Sequence, residues 1–224
     1  MKNLFKRLFV GFTVLSLTAC GSTTMQDNTF AAKENKDFTK YTNQLVVEYA
    51  ENDYTTMHQF FEHPEDYGID INNVDVSLGE FYTDNTEEIK EDQKELNKFN
   101  RSTLDKTQQT IYDELKYENE LSLKAENKKF QYLNNCWSTM SGLHQSLISV
   151  FSEYILRSEK DIQDLITLIN DVPRYTNDVL EYTKEQANKN TLQFDYNSVI
   201  QDIQDVINNK ENSSITSALY NAID

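Results

Sequence analysis

The chain has 224 residues, of which 37 are Asp or Glu and 21 are Lys or Arg, and its formal net charge is −16. This acidity argues against nucleic acid as a partner, because binding to phosphates needs a surplus of Lys and Arg. It also argues against electrostatic attachment to anionic lipid, and it favours solubility.

The amino-terminal residues have the pattern of a secretory signal. A basic start is followed by an apolar run over residues 8–17 and then by small residues. The run is shorter than the roughly 20 apolar residues of a spanning helix. Residues 17–20, Leu-Thr-Ala-Cys, resemble the bacterial lipobox, in which the cysteine is lipidated and becomes residue one. An ordinary secretory signal with an incidental cysteine is the alternative.

We therefore expect a lipoprotein signal peptide over residues 1–19 and a protein held to the extracytoplasmic face of the cell membrane by lipid on Cys20. Removal of Lys2, Lys6 and Arg7 with that peptide brings the mature charge near −19. Residues 20–36 are rich in Ser, Thr, Asn and Lys, and they are predicted to form a flexible tether. Residues 37–224 remain for one domain with its own core.

Apolar residues at helical spacing predict the first elements of this domain. Large side chains from Phe38 to Tyr49 indicate a first helix with Asp37 as a possible cap, and Asp53 is expected to cap a short helix over residues 54–61. Residues 62–84 are predicted to form one long loop. Two helices follow, capped near residues 85–86 and 102–103, and the second is expected to carry apolar residues as far as Leu133.

A central stretch over residues 137–154 is predicted to be one helix with an apolar face on which its neighbours pack. Its large residues recur at steps of three and four: Trp137, Met140, His144, Leu147, Phe151 and Tyr154. Ser158 and Asp161 then resemble a capping box. A new helix or a kink is expected at Pro173, and further helices are expected near residues 199–207 and 215–222.

The fold class is therefore all-α, an irregular domain of about eight helices with one long loop. Its last apolar set lies close to Asp224, and we expect an architecture that continues in a missing second half. Cys136 has no disulfide partner if Cys20 is lipidated. We predict that Cys136 is a small buried residue, with a reactive thiol as the alternative.

Several catalytic classes lack their signatures in this sequence. The five glycines are too far apart for a phosphate-binding loop or a dinucleotide fingerprint, and no Gly-x-Ser-x-Gly elbow occurs. None of the three histidines, His58, His63 and His144, is followed by Glu, so the His-Glu-x-x-His zinc signature is absent. His58 and His63 are five apart, about 140° off a shared helix face, and we interpret them as a surface cluster.

His144 on the apolar central face has two interpretations. It is either a core or boundary histidine bonded to a nearby carbonyl, or a cleft-lining polar group with Trp137 as an apolar wall. The 13 tyrosines also allow a carbohydrate- or peptide-binding surface, although Tyr at helical spacing is more often at the edge of a core. Trp137 and His144 are thus the candidate cleft-lining residues, and no catalytic or metal-binding residue is assigned.

Two stretches carry a further resemblance. One is residues 56–69, Thr-Met-His-Gln-Phe-Phe-Glu-His-Pro-Glu-Asp-Tyr-Gly-Ile, with Ser-Leu-Gly-Glu at 77–80. The other begins with Met-Ser-Gly-Leu-His at 140–144, continues through residues 154–162, and ends in Leu-Ile-Asn-Asp-Val-Pro-Arg-Tyr at 168–175. Their order and spacing resemble the amino-terminal half of the bacterial domain of unknown function 885 family, over most of residues 37–224.

The resemblance implies a secreted or lipid-anchored, mostly helical protein, similar to zinc metallopeptidases of the gluzincin type. Family members are more than twice as long, and their His-Glu and Gly-His-His signature lies in the carboxy-terminal half, where it would hold zinc and activate water. No position of this chain matches that signature. No metal ligand or general base carries over, and zinc is expected only in full-length relatives.

Two hypotheses for the function follow. The first is a truncated or split metallopeptidase-like lipoprotein that is inactive without its missing carboxy-terminal half. The second is a non-catalytic surface lipoprotein that binds peptide or another envelope component. A purely structural partner of a membrane complex is a third possibility.

Overall fold

The structure is a computed structural model that describes residues 33–82 and 84–209, together with residues 216, 217 and 220. This part of the chain contains seven α-helices, two short 3-10 helices and no strand, so the predicted all-α class is confirmed. None of the helices in the described ranges is both long and apolar enough to span a bilayer. The signal peptide, Cys20 and most of the helix expected over 215–222 lie outside the described residues.

The helices have these bounds in chain order: α1 Lys36–Asn52, α2 Tyr54–Phe60, α3 Thr86–Leu96, α4 Lys106–Ala125, α5 Leu143–Ser152, α6 Glu159–Asn188 and α7 Tyr196–Asn208. The 3-10 helices are Pro64–Tyr67 and Arg101–Thr103. The loop predicted over residues 62–84 is confirmed, because the first 3-10 helix is the only regular element that the structure describes there.

Capping side chains set several of the helix starts. Asp53 caps α2 and accepts the Thr56 N–H at 3.0 Å, and Ser158 forms the predicted capping box with Asp161 at the start of α6. Two predicted caps are wrong. Asn35 caps α1 in place of Asp37, and Asp105 caps α4 because the preceding residues form the 3-10 turn.

Two hydrophobic cores are built from these helices. The smaller core joins α1, α3 and α4 through Phe38, Leu96, Leu104, Ile111, Tyr112 and Leu115. The larger core joins the end of α1 to α2, α5, α6 and the long loop, and it includes Phe151, Leu168 and Val179, each no more than 2 % exposed. Such side chains contribute roughly 1.5–3 kcal/mol each. Helix α1 contributes to both cores and therefore links them.

The central stretch is only partly helical. Helix α5 begins at Leu143, and residues 136–142 form a tight loop in which the Gly142 N–H donates to the Ser138 carbonyl at 2.8 Å. A Cβ on Gly142 would come within 2.5 Å of the Ser138 backbone nitrogen, so only glycine fits there. The predicted helix over 137–154 is therefore wrong in its first turns, and Met140 is 90 % exposed.

Pro173 lies inside the continuous helix α6, so no new helix begins at this residue, and the alternative of a kink stays a prediction. Proline has no N–H to donate to the carbonyl four residues earlier, at a cost of about 3 kcal/mol in a helix interior. Burial of Leu168, Tyr175 and Val179 on one face of α6 offsets this cost.

Candidate functional site

A cleft with a volume of about 460 Å³ lies between α2 and α5. Helix α2 contributes its N-cap Asp53 and residues 55, 56, 58 and 59, and α5 contributes the side that runs from Leu143 to Val150. Leu78 of the long loop and Tyr175 of α6 also line it, and Met140 and Ser141 precede α5 at its edge. The walls thus combine aliphatic side chains with hydroxyl and amide groups.

A buried polar cluster lies behind the α2 wall of this cleft. It is formed by Tyr54, His58, Tyr154 and Asp164. The Tyr54 hydroxyl lies 2.8 Å from the Tyr154 hydroxyl and donates to the Asp164 carboxylate at 2.9 Å. The His58 ring stacks on the Tyr154 ring with centroids 4.2 Å apart. All four side chains are less than a tenth exposed, and His58 and Tyr154 also line the cleft.

The hydrogen bonds of His58 determine its tautomer. Its Nε2 lies 2.7 Å from the Ile155 carbonyl, which can only accept, so Nε2 carries the proton. The other nitrogen, Nδ1, lies 3.5 Å from the Tyr54 hydroxyl and 3.8 Å from Asp161. Burial lowers the pKa of His58 below its ordinary value of 6.5, against the opposing effects of the Ile155 carbonyl and the Asp161 charge. His58 is therefore neutral at pH 7.

Burial also raises the pKa of both tyrosines in the cluster, to about 12 for Tyr154. Burial raises the pKa of Asp161 too, but hydrogen bonds from the N–H groups of Arg157 and Ser158 outweigh it and leave that pKa below its ordinary range. Lys160 forms an ion pair with Asp164. At neutral pH the tyrosines and His58 of the cluster are therefore neutral, and the neighbouring Asp161 is ionised.

An ion pair on α6 fixes the long loop at the other side of the cleft. The Asp171 carboxylate accepts the N–H of Leu78 at 2.8 Å, and Arg174 donates to Asp171 and, at 2.7 Å, to the Gly79 carbonyl. The stretches at 77–80 and 168–175, which carry the family resemblance, are thus in direct contact. Leu78 is thereby held where it lines the cleft.

The two candidate residues that the sequence suggests, Trp137 and His144, have partners on different helices. Trp137 packs against the larger core, and its indole N–H donates to Thr183 at 2.8 Å. His144 is 8 % exposed, and its Nε2 lies 3.6 Å from the Oδ2 of Asp202 on α7. Neither residue lines the cleft between α2 and α5. Their role as cleft-lining residues in a larger protein stays a prediction.

His144 is buried, but neither ring nitrogen has a hydrogen-bond partner among the described residues, and the expected carbonyl bond is not formed. Cys136 is 7 % exposed, and burial raises the pKa of its thiol to about 11, so the prediction of a buried residue is confirmed. The surface cluster predicted for His58 and His63 is wrong, because His58 is buried while His63 is exposed.

The three histidines do not form a zinc site. His58 bonds to a carbonyl, His63 lies 3.5 Å from Glu65, and His144 faces α7. Over the described ranges, no three His, Cys, Asp or Glu side chains are arranged to hold a metal ion. The residues that the structure describes therefore do not supply a ligand set for the zinc that the sequence resemblance associates with full-length relatives.

The polar cluster was missed at the sequence level because its members are about 100 residues apart in the chain. Each of the two helices involved, α2 and α6, nevertheless carries a local sequence signal. Tyr54 and His58 are four apart on α2, and Asp161 and Asp164 are three apart on α6, so each pair shares a helix face. No property of the sequence showed that these two faces meet.

This chain matches a family model over more than half of its length. The model described as bacterial protein of unknown function (DUF885) matches residues 71–223. The chain belongs to this family. The match includes the stretches at 77–80 and 140–175 and begins after residues 56–69. Comparisons with curated proteins and with solved structures gave no match.

We predict that His58 makes the stability of this DUF885 protein depend on pH between 7 and 5. Its folded-state pKa is below the unfolded value of about 6.5, so its stabilising contribution is complete above pH 6.5. The contribution is lost as the pH falls from there toward the folded-state pKa. Urea unfolding at pH 7, 6 and 5 should show a steeper loss of stability in the wild type than in His58→Gln.

The Asp161 carboxylate affects the stability in a separate pH range, below about pH 4, because its pKa is lowered from 3.8. His63→Gln is the matched control, since His63 is exposed and should leave the wild-type pH dependence unchanged. Equal pH dependence in the wild type and His58→Gln would contradict the prediction.

Proposed function

We propose that this DUF885 protein is a lipid-anchored envelope protein whose helical domain binds peptide segments in the cleft between α2 and α5. It is a relative of zinc metallopeptidase-like proteins, and by itself it does not hydrolyse what it binds. The observation that carries the proposal is the cleft, which combines about 460 Å³ of space with apolar walls and exposed polar groups.

The size and lining of the cleft suit a short peptide segment. Small-molecule and side-chain pockets of about 300–1,000 Å³ are typical, and they combine apolar walls with a few polar groups. Here Leu147 and Val150 supply apolar contact, and Gln145, Ser146 and Ser149 present amide and hydroxyl groups from the same face of α5. A peptide has the same alternation of apolar side chains and backbone hydrogen-bonding groups.

We assign catalysis to a part outside this helical domain, because the described histidines do not form a set of zinc ligands. In the proposed arrangement this chain holds the peptide, and a metallopeptidase-like half, where one is encoded, supplies zinc and its ligands. The DNA downstream of codon 224, read in three frames, separates a truncated peptidase from a binding lipoprotein. A His-Glu and Gly-His-His signature there supports the first, and its absence supports the second.

We expect Ser149→Trp to weaken peptide binding strongly, because an indole at this exposed position fills the cleft. Binding of a fluorescent pool of random hexapeptides, measured by anisotropy, should weaken at least tenfold. Ser152→Trp is the matched control, since Ser152 is an exposed serine of α5 that does not line the cleft.

The same pool, incubated with the protein and zinc, should yield no cleavage products. Equal loss of binding in both variants, or no binding by the wild type, would contradict the peptide-binding proposal. Turnover that a chelator removes would contradict the claim that the chain does not hydrolyse peptides by itself.

The membrane anchor has an independent test in Cys20→Ala. Lipidation of the cysteine thiol is the only attachment that we propose, so the variant should move from the membrane fraction to the soluble secreted fraction. Cys136→Ala should stay in the membrane, because Cys136 is buried in the helical domain. Fractionation followed by immunoblotting reports both results, and membrane retention of Cys20→Ala would refute lipid anchoring.

A further inference from the structure

We infer that the cleft selects a peptide with a cationic side chain, lysine or arginine, and that Glu153 receives the cation. This inference rests on the proposed peptide binding and adds the chemical class of the ligand.

The first argument is the charge of the lining. Asp53 and Glu153 are the two acids among the residues that line the cleft, and the lining that the structure describes includes no Lys or Arg. His58 adds no positive charge at pH 7, because it is buried and its proton is committed to the Ile155 carbonyl. An electrostatic preference for cations follows.

The second argument distinguishes the two carboxylates. Asp53 is 2 % exposed and already accepts hydrogen bonds from the Thr55 and Thr56 hydroxyls and the Thr56 N–H, so it serves as the cap of α2. Glu153 is exposed, and one of its oxygens accepts the Gln59 amide at 2.6 Å across the cleft. A carboxylate has about four acceptor positions, so Glu153 can still accept a ligand donor.

The third argument is the position of Glu153 at the carboxyl end of α5. Glu153 is the C-cap of this helix, where the aligned peptide dipoles add partial negative charge. Val150 lies one turn earlier on the same face and also lines the cleft. The aliphatic stem of a lysine or arginine can therefore pack on Val150 while its charged head reaches Glu153.

Two neighbouring cations do not neutralise this site. Arg157 donates to the His58 carbonyl at 2.8 Å, and Lys160 is paired with Asp164. Against them stand the carboxylates of Asp53, Glu153, Asp161 and Asp164, an excess of two negative charges around the cleft and its polar cluster.

The test compares two fluorescent hexapeptide pools that differ only at one central position, which is lysine in one pool and norleucine in the other. Norleucine keeps the four-carbon stem and lacks the ammonium group. The purified full chain should bind the lysine pool about fivefold tighter at low salt, as expected for one ion pair worth about 1 kcal/mol. Glu153→Gln should remove this difference, because the amide keeps the shape of the side chain and lacks the negative charge.

Glu120→Gln makes the same change of charge at an exposed position of α4 outside the cleft, and it should keep the fivefold preference. Equal binding of both pools by the wild type, or a preference that survives in Glu153→Gln, would overturn the inference while peptide binding stands. Binding of neither pool would overturn peptide binding and the cation preference together. Thermal unfolding of each variant verifies that it is folded.

Discussion

The need to satisfy buried polar groups determines how the second half of this domain is assembled. Tyr54 and His58 on α2 lose their contact with water, and so do Tyr154 and Asp164, which come from beyond α5. An unpaired buried group costs about 1–3 kcal/mol, so the docking of α2 is more favourable where these four groups meet one another. Apolar packing is not directional, whereas the hydrogen bonds of the cluster are, so the cluster favours one register of α2.

That single register also shapes the cleft. Because His58 and Tyr154 both line it, the bonds that position α2 also position one wall. Across the cleft, Asp171 and Arg174 hold the long loop so that Leu78 completes the lining. The cleft thus lies where three separate stretches of chain are held by charged or polar contacts. Walls that are fixed in this way suit the peptide binding that we propose, because a preorganised site loses less conformational entropy when a ligand binds.

The sequence predicts those features that local physics controls. Helix spacing and capping residues correctly indicated the all-α class, the cap Asp53 and the capping box at Ser158. Predictions failed where tertiary contacts override local preference. Helix α6 is continuous through Pro173 because one of its faces packs on the core. The first residues of the predicted central helix form a loop instead, in which the Gly142 backbone lies close to Ser138. To predict the polar cluster, one would have to know that two helix faces meet, and no local sequence pattern contains that information.

The central claim is that the bond between Tyr54 and Asp164 holds α2 in place. A double-mutant cycle with Tyr54→Phe and Asp164→Ala measures this by urea unfolding, because alanine leaves no acceptor and the contributions of Lys160 and of apolar packing cancel in the coupling term. The account predicts a coupling free energy of about 1.5–3 kcal/mol, typical of a hydrogen bond to a charged group. Additive effects within about 0.3 kcal/mol would contradict it.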